Sequence, residues 1–362
     1  MSSVRERRLA TLLERLVAGH LDAVLVTSLP NIRYLTGFSG SNALLLVTGR
    51  DAHLVTDFRY QTQAATESGD VCNVRVETSN LWSGLWSLMG GLAGVQSVGF
   101  ESAHLPHREF QRLMERGERW HWRPVTELVE GLRAQKDAEE VAHIRTAGAM
   151  AIQALHETLE RVRIGMTELE VCGILEHALR DAGSEAHPFA PIVASGPRSA
   201  LPHARASGRA IAPGEFLLLD FGASTGGYCS DVTRTVILGR ADERQRAIHE
   251  AVREANRVAR EGIRAGMRGR EGDALARSVL ESRGLGELFG HGLGHGIGLE
   301  VHEAPRLSRL AEEVLPEGSV VTIEPGVYVP EWGGVRIEDD VHLGADGADL
   351  LTDFTRELLV LS

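Results

Sequence analysis

Cysteine is scarce: the 362-residue chain contains three, Cys72, Cys172 and Cys229. Their wide, odd-numbered scatter suits neither a disulfide framework nor a thiolate metal site, and they read as reduced cysteines of a cytoplasmic protein. No run of roughly 18 consecutive apolar residues occurs, which excludes a membrane-spanning helix. The N-terminal stretch MSSVRERRLATLLERL lacks the unbroken apolar centre of a secretory signal. With Arg5, Arg7 and Arg8 among leucines at helical spacing, it reads instead as a surface helix. Excess positive charge is absent too. The formal net charge is -12 and no basic tail or stripe offsets it, which argues against nucleic acid or an anionic membrane as partner.

What remains is an ordinary globular composition, 43% hydrophobic, in a chain longer than a single hydrophobic core comfortably serves. Two domains are expected. Apolar runs at Ala23 to Thr27, Ala43 to Thr48 and His53 to Thr56, with helical stretches between them, describe a small α/β domain over 1–131. From Lys136 to Arg163 the spacing of Val141, Ile144, Ala147, Met150, Leu155 and Leu159 predicts a long amphipathic helix, acidic in its early turns. The boundary is placed just before it, near Leu132, so that the second domain spans 132–362.

That second domain contains an internal repeat. Arg163-Ile-Gly-Met166 returns as Arg264-Ala-Gly-Met267, each followed by about four turns of helical pattern. A histidine segment follows in each copy, beginning at His203 and at His302. Gly214-Glu-Phe-Leu-Leu-Leu-Asp220 aligns with Gly318-Ser-Val-Val-Thr-Ile-Glu324, so an acid ends the same strand twice. A second acid follows each strand beyond a glycine turn, Asp231 and then Glu338. Two related halves would gather these groups about a pseudo-twofold axis, with a metal cleft between the halves.

Carboxylates and an imidazole without thiolate make an oxygen-rich site, suited to manganese, cobalt or iron better than to a cysteine-type zinc site. Four anions overcharge one divalent cation, whereas two cations sharing bridging carboxylates and a hydroxide approach neutrality. Such a pair polarises a carbonyl and activates water, which is amide hydrolysis without a covalent intermediate. In Gly290-His291-Gly-Leu-Gly294-His295-Gly296-Ile-Gly298 the glycines are expected to let backbone approach a ligand or metal closely. Their period of two does not fit a dinucleotide-binding loop. Residues such as His20, His53, His121 and His249 are read as surface or packing residues.

The segments IVASGPRSALPHARAS (192–207), LLLDFGA (217–223), SDVTRT (230–235), GHGLGHGIGLEVHEAPRLS (290–308), TIEPGVYVP (322–330) and GGVRIEDD (333–340) closely resemble the creatinase-like, or pita-bread, metallopeptidases. Within that family the likeness is to Xaa-Pro dipeptidases (prolidases) and Xaa-Pro aminopeptidases. NIRYLTGFSGSNALLLV (31–47) resembles the family's N-terminal domain. The resemblance implies an α/β N-terminal domain followed by an α+β pita-bread domain, in a homodimer in which one N-terminal domain borders the partner's cleft. It implies two divalent ions, manganese first, with cobalt, zinc or iron as the other candidates. Asp220 would chelate one ion, Asp231 and Glu338 would bridge both, and His295 with Glu324 would complete the other; none of these departs from the family pattern. Glu324 would also carry a proton to the leaving amine. His203 and His302 match the pair that steadies substrate and tetrahedral intermediate. His291, Tyr328 and Arg336 match positions that orient ligands and substrate, while Phe189, Ile192 and Val301 match an apolar pocket fit for a proline ring.

Three other activities and a non-catalytic role compete. Methionine aminopeptidases share the metal domain but typically lack a domain like 1–131. Creatine-hydrolysing relatives lack the metal ligands, and non-catalytic members usually show them eroded; here all five stand. Aminopeptidase P remains the alternative to a prolidase. A dipeptidase must bind the free carboxylate of its proline, and Arg306, four residues after His302, is suited to that, so a prolidase acting on Xaa-Pro dipeptides is favoured.

Overall fold

The computed structural model describes residues 3–362. The chain forms two compact units, one ending at Arg133 and the other running from Ala134 to Ser362.

In the first unit α1 (Val4–Ala18) opens on a reciprocal cap, with Ser3 and Glu6 each accepting the other's backbone N–H, which satisfies two amides that a helix start leaves bare. It is followed by β1 (Ala23–Val26), α2 (Leu29–Thr36), β2 (Ala43–Thr48), β3 (Ala52–Asp57), α3 (Gln61–Ser68), β4 (Asn73–Glu77), α4 (Leu81–Gly91), β5 (Ser97–Glu101), α5 (His107–Arg116), β6 (His121–Val125) and α6 (Glu130–Arg133). The strands make one sheet in the order β4-β3-β2-β1-β5-β6. Only β2 runs against its neighbours. Every residue of β1 and β2 is buried, as unbroken apolar runs require when both faces of a strand are covered. On one face Leu25, Leu46 and Val55 pack with Leu85 and Met89 of α4.

The second unit runs α7 (Ala138–Arg161), α8 (Glu168–Asp181), β7 (Ile192–Ser195), β8 (Glu215–Phe221), β9 (Ser224–Thr225), β10 (Tyr228–Cys229), β11 (Val232–Leu238), α9 (Glu243–Gly262), α10 (Gly269–Ser282), β12 (Gly294–Gly296), β13 (Glu303–Leu307), β14 (Val320–Ile323), β15 (Gly326–Val329), β16 (Gly333–Arg336), β17 (Asp339–Gly344), β18 (Gly347–Leu350) and β19 (Val360–Leu361). The acidic start expected for the long helix is its cap. Asp137 accepts from the backbone N–H of Glu139 and Glu140, and Glu140 reaches back to the amide of Asp137. Helices α7 and α8 cover the sheet β19-β11-β8-β7 through Ala151, Leu155, Leu175 and Leu179 against Leu217, Leu219 and Val236. Helices α9 and α10 cover β13-β12-β14-β17-β18 through Ile248, Val252, Ala276 and Leu280 against Val321, Ile323, Val341 and Leu343.

The repeat seen in sequence is also a repeat of backbone geometry. Gly165 and Gly266 both adopt φ +88°, a conformation side chains oppose and glycine accepts. Gly165 N–H donates to Ile211 O and Gly266 N–H to Leu315 O, both at 2.9 Å. The returning bonds match as well, Ile211 N–H to Met166 O at 2.9 Å and Leu315 N–H to Met267 O at 2.8 Å. Each half thus sets a helix pair on its own sheet by the same turn.

Candidate metal centre

Three of the four acids sit where regular pairing stops, and the fourth, Asp220, is still paired with a strand on either side. Asp220 is near the end of β8, Asp231 in the break between β10 and β11, Glu324 just after β14, and Glu338 between β16 and β17. Breaks free side chains that a ladder would otherwise send alternately to core and surface. His295 lies at the centre of the three-residue strand β12.

Asp231, His295 and Glu338 can each aim one ligand atom so that all lie within 4.8 Å of one another. His295 Nε2 is 3.9 Å from Asp231 Oδ2 and 3.6 Å from Glu324 Oε1. Its Nδ1 lies 3.0 Å from Gly296 O, and a ring nitrogen meets a carbonyl only by donating, so in the neutral ring Nε2 is a bare lone pair facing the acids. Burial holds the imidazole at about 4, keeping it neutral. Asp231 Oδ1 is buried without a hydrogen-bond partner. Desolvation first, then the charges of Glu338 and Asp220, drive Asp231 far above the usual carboxylate range. Glu338 is likewise raised, by burial and then by Glu324 and Asp220, and Glu324 is pushed by burial to about 8. A lone-pair nitrogen and buried carboxylates turned toward each other form a cavity that cations, rather than protein donors, complete. The donor set fits divalent metal.

Asp220 stands outside that tightest group. It accepts from Arg336 Nη2, and its charge is felt by Asp231, Glu324 and Glu338. Arg336 is buried and also donates through Nη1 to the Tyr328 hydroxyl at 2.8 Å and through Nε to Thr233 Oγ1 at 3.1 Å. The Tyr328 hydroxyl meets His291 Nε2 at 2.9 Å, while His291 Nδ1 faces Gly292 O at 2.8 Å. Having accepted from Arg336, the hydroxyl donates to His291, whose ring burial holds at about 4. The three residues read as outer partners thus form one chain of bonds ending on Asp220.

His302 is exposed, its ring centroid 4.3 Å from that of His295. Burial lowers its pKa, and the charges of His203, Asp220 and Arg306 all reach it. His203, also exposed, lies in the loop between β7 and β8. Ile192 in β7 is the cross-strand partner of Asp220 in β8, which sets it on the same face as that acid. Arg306 in β13 stands opposite His295 in β12 and is exposed. Val301 packs against a cluster containing Ile144, Tyr228 and Ile297, and Phe189 is half-buried in the loop before β7.

Residues 142–345 match metallopeptidase family M24, and residues 8–135 match the creatinase/prolidase N-terminal domain. The chain belongs to the M24 metallopeptidases. It is 37% identical to a Xaa-Pro dipeptidase of Pyrococcus horikoshii, over 98% of this chain and 99% of that protein. Its fold is similar to that of a Xaa-Pro dipeptidase from Bacillus anthracis, with TM-score 0.95 and 37% identity over 99% of this chain and 100% of that one. It is also similar to an X-Pro aminopeptidase from Thermotoga maritima, with TM-score 0.90 and 34% identity over 98% and 99% of the two chains. The pita-bread architecture follows from these likenesses and from the two helix-covered sheets.

For an M24 metallopeptidase the glycine run has a different purpose from the one its sequence suggests. A Cβ on Gly294 would lie 2.0 Å from Thr322 O, and one on Gly296 would lie 2.1 Å from Ala304 O. These glycines let β12 lie tight against β14 and β13, so the close approach is strand to strand, and it is the His295 side chain that faces the acids. Two threonines escape sequence reading altogether. Thr233 Oγ1 donates to Glu338 Oε2 at 2.5 Å. Thr322 Oγ1 accepts from His295 N at 3.1 Å and lies 3.5 Å from Glu324 Oε1. Asp273, paired with Arg277, accepts from Leu293 N, while Arg277 donates to His291 O, which fixes the loop that presents both histidines. Nothing but their places beside the ligand motifs could have marked them.

Proposed function

We propose that this M24 enzyme hydrolyses the bond before proline in Xaa-Pro dipeptides, using two divalent ions held by Asp220, Asp231, His295, Glu324 and Glu338. The register of Arg306 opposite His295 carries the dipeptide reading, because it sets a guanidinium one strand away from the ligands, on the same face. When bound, the cations supply Lewis-acid polarisation of the scissile carbonyl and a nucleophilic water at neutral pH. Manganese suits the donor set of four carboxylates and one imidazole.

The chain's own residues do the rest. Arg306 receives the proline carboxylate in a charge-assisted hydrogen bond and fixes chain length at two residues. Phe189, Ile192 and Val301 pack on the pyrrolidine ring and exclude water. His203 and His302 donate to the oxygen on which charge develops as the carbonyl carbon becomes tetrahedral. Glu324 accepts a proton from the attacking water and delivers it to the departing proline nitrogen. Arg336 holds Asp220, and through Tyr328 it holds His291, so the ligand geometry survives the reaction. A homodimer in the cytoplasm belongs to the same proposal, as does a domain division at 131/132, two residues before the break between the compact units at 133/134.

The test is cleavage by the manganese-loaded enzyme of an Xaa-Pro dipeptide, the same dipeptide amidated at its C-terminus, and a tripeptide with proline second. A charged hydrogen bond of about 1.5 to 3 kcal/mol predicts that Arg306→Ala lowers kcat/KM on the free dipeptide about tenfold or more. The amidated substrate should be nearly unaffected. A wild type that prefers the tripeptide, with a variant that treats free and amidated dipeptides as wild type does, would establish the aminopeptidase activity instead.

A further inference from the structure

Asp340 lies in β17, two residues beyond Glu338, and is fully buried. An interior strand position is ordinarily apolar, because a buried carboxylate needs partners to offset lost hydration. Its Oδ1 has no hydrogen-bond partner. Its Oδ2 accepts from the backbone N–H of Asp231 at 3.0 Å. The main chain of Asp340 is fixed at both ends: its N–H donates to Thr352 Oγ1 at 2.9 Å, its carbonyl accepts from Leu351 N at 2.9 Å, and its Cα faces Thr322 in β14. Asp231 has no such frame, for it falls in the break between β10 and β11. A rigid acid therefore holds the main chain of a less constrained one.

The other half makes a reciprocal contact. The backbone N–H of Glu338 donates to Thr233 O at 3.1 Å, and Thr233 stands two residues beyond Asp231, as Asp340 stands two beyond Glu338. Each acid read as bridging thus has its amide held from across the pseudo-twofold axis by the residue two places after the other.

We infer that Asp340 is a positioning residue of the metal centre, the acceptor that fixes the backbone of Asp231 so that its carboxylate stays turned toward His295. It acts through Asp231, and the inference rests on the reading of Asp231 as a ligand. Loss of an outer partner of this kind weakens metal binding about 10- to 100-fold. The experiment is calorimetric titration of the metal-free chain with Mn2+ for wild type, Asp340→Val, Asp340→Asn and Asp231→Asn, with thermal unfolding of each metal-free protein. Asp340→Val should bind Mn2+ at least about tenfold more weakly, while Asp340→Asn, which keeps an oxygen in place, should stay close to wild type. If the valine variant does not fold, Asp340→Ser, too short to reach the amide, replaces it. Wild-type affinity in the valine or serine variant overturns the inference, as does equal weakening in the asparagine variant, which would make charge and not the hydrogen bond responsible. If wild type binds no more tightly than Asp231→Asn, the ligand reading itself fails, a result distinct from either.

Discussion

Thr322 is fully buried, and its hydroxyl is placed between the amide of His295 and the carboxylate of Glu324. Valine has nearly the same shape without the hydroxyl, so Thr322→Val would leave a buried N–H unsatisfied at a cost of about 1 to 3 kcal/mol. The expected outcome is retention of fold with Mn2+ affinity lowered about tenfold, read by titration; unchanged affinity would show that the strand alone orients the ligands. The four acids of the proposed ligand set stood out in sequence because they recur in matched halves, a pattern that packing does not demand, whereas His295 was marked only by its motif. Thr233, Thr322 and Asp340 were not, since a threonine in a strand reads as ordinary β propensity and its partners lie far along the chain. His249 shows the same limit for a residue away from the centre. It is buried, and desolvation lowers its pKa to about 4. A lowered folded value means that the unfolded chain takes the proton first as pH falls below about 6.5, so the native state loses stability between there and pH 4. That loss amounts to roughly 3 kcal/mol at most. Denaturant melts of wild type and His249→Gln at pH 7 and pH 4.5 should show a shallower decline in the variant; parallel declines would refute the assignment.

At the scale of elements, β12 is the strand that hydropathy reads worst. Its sequence Gly-His-Gly offers no apolar alternation, so its glycines read as room for backbone beside a ligand and not as a strand, whereas the long amphipathic helix and the apolar strands of the first unit were easier. The reason it is a strand is steric: only hydrogen at position 294 allows β12 to approach Thr322 O. Gly294→Ala should therefore destabilise the protein by about 1 to 3 kcal/mol through backbone displacement and release metal, because His295 rides on the same strand. Gly290→Ala, whose Cβ would meet nothing within 4 Å, should change stability by less than about 0.5 kcal/mol. Thermal unfolding and metal analysis of the pair test this directly, and equal behaviour of the two variants would contradict it.

For the whole second unit, the repeat is what made a metal cleft readable in the sequence, while the resembling motifs carried the peptidase function. Matching glycine turns at 165 and 266 launch matching helices over matching sheets, and the acids at the sheet ends meet because the halves face one another. Register differences between the halves were hidden, since β12 pairs with β13 through a bulge that spacing does not announce. The account stands or falls on two ions held by carboxylates from both halves. The decisive measurement is metal content per chain, by mass spectrometry after dialysis, alongside Xaa-Pro hydrolysis for wild type, Asp231→Ala and Glu338→Ala. The account predicts about two ions per chain in the wild type, with at most one ion and no detectable hydrolysis in either variant. Two tightly held ions and full activity in either variant would contradict it.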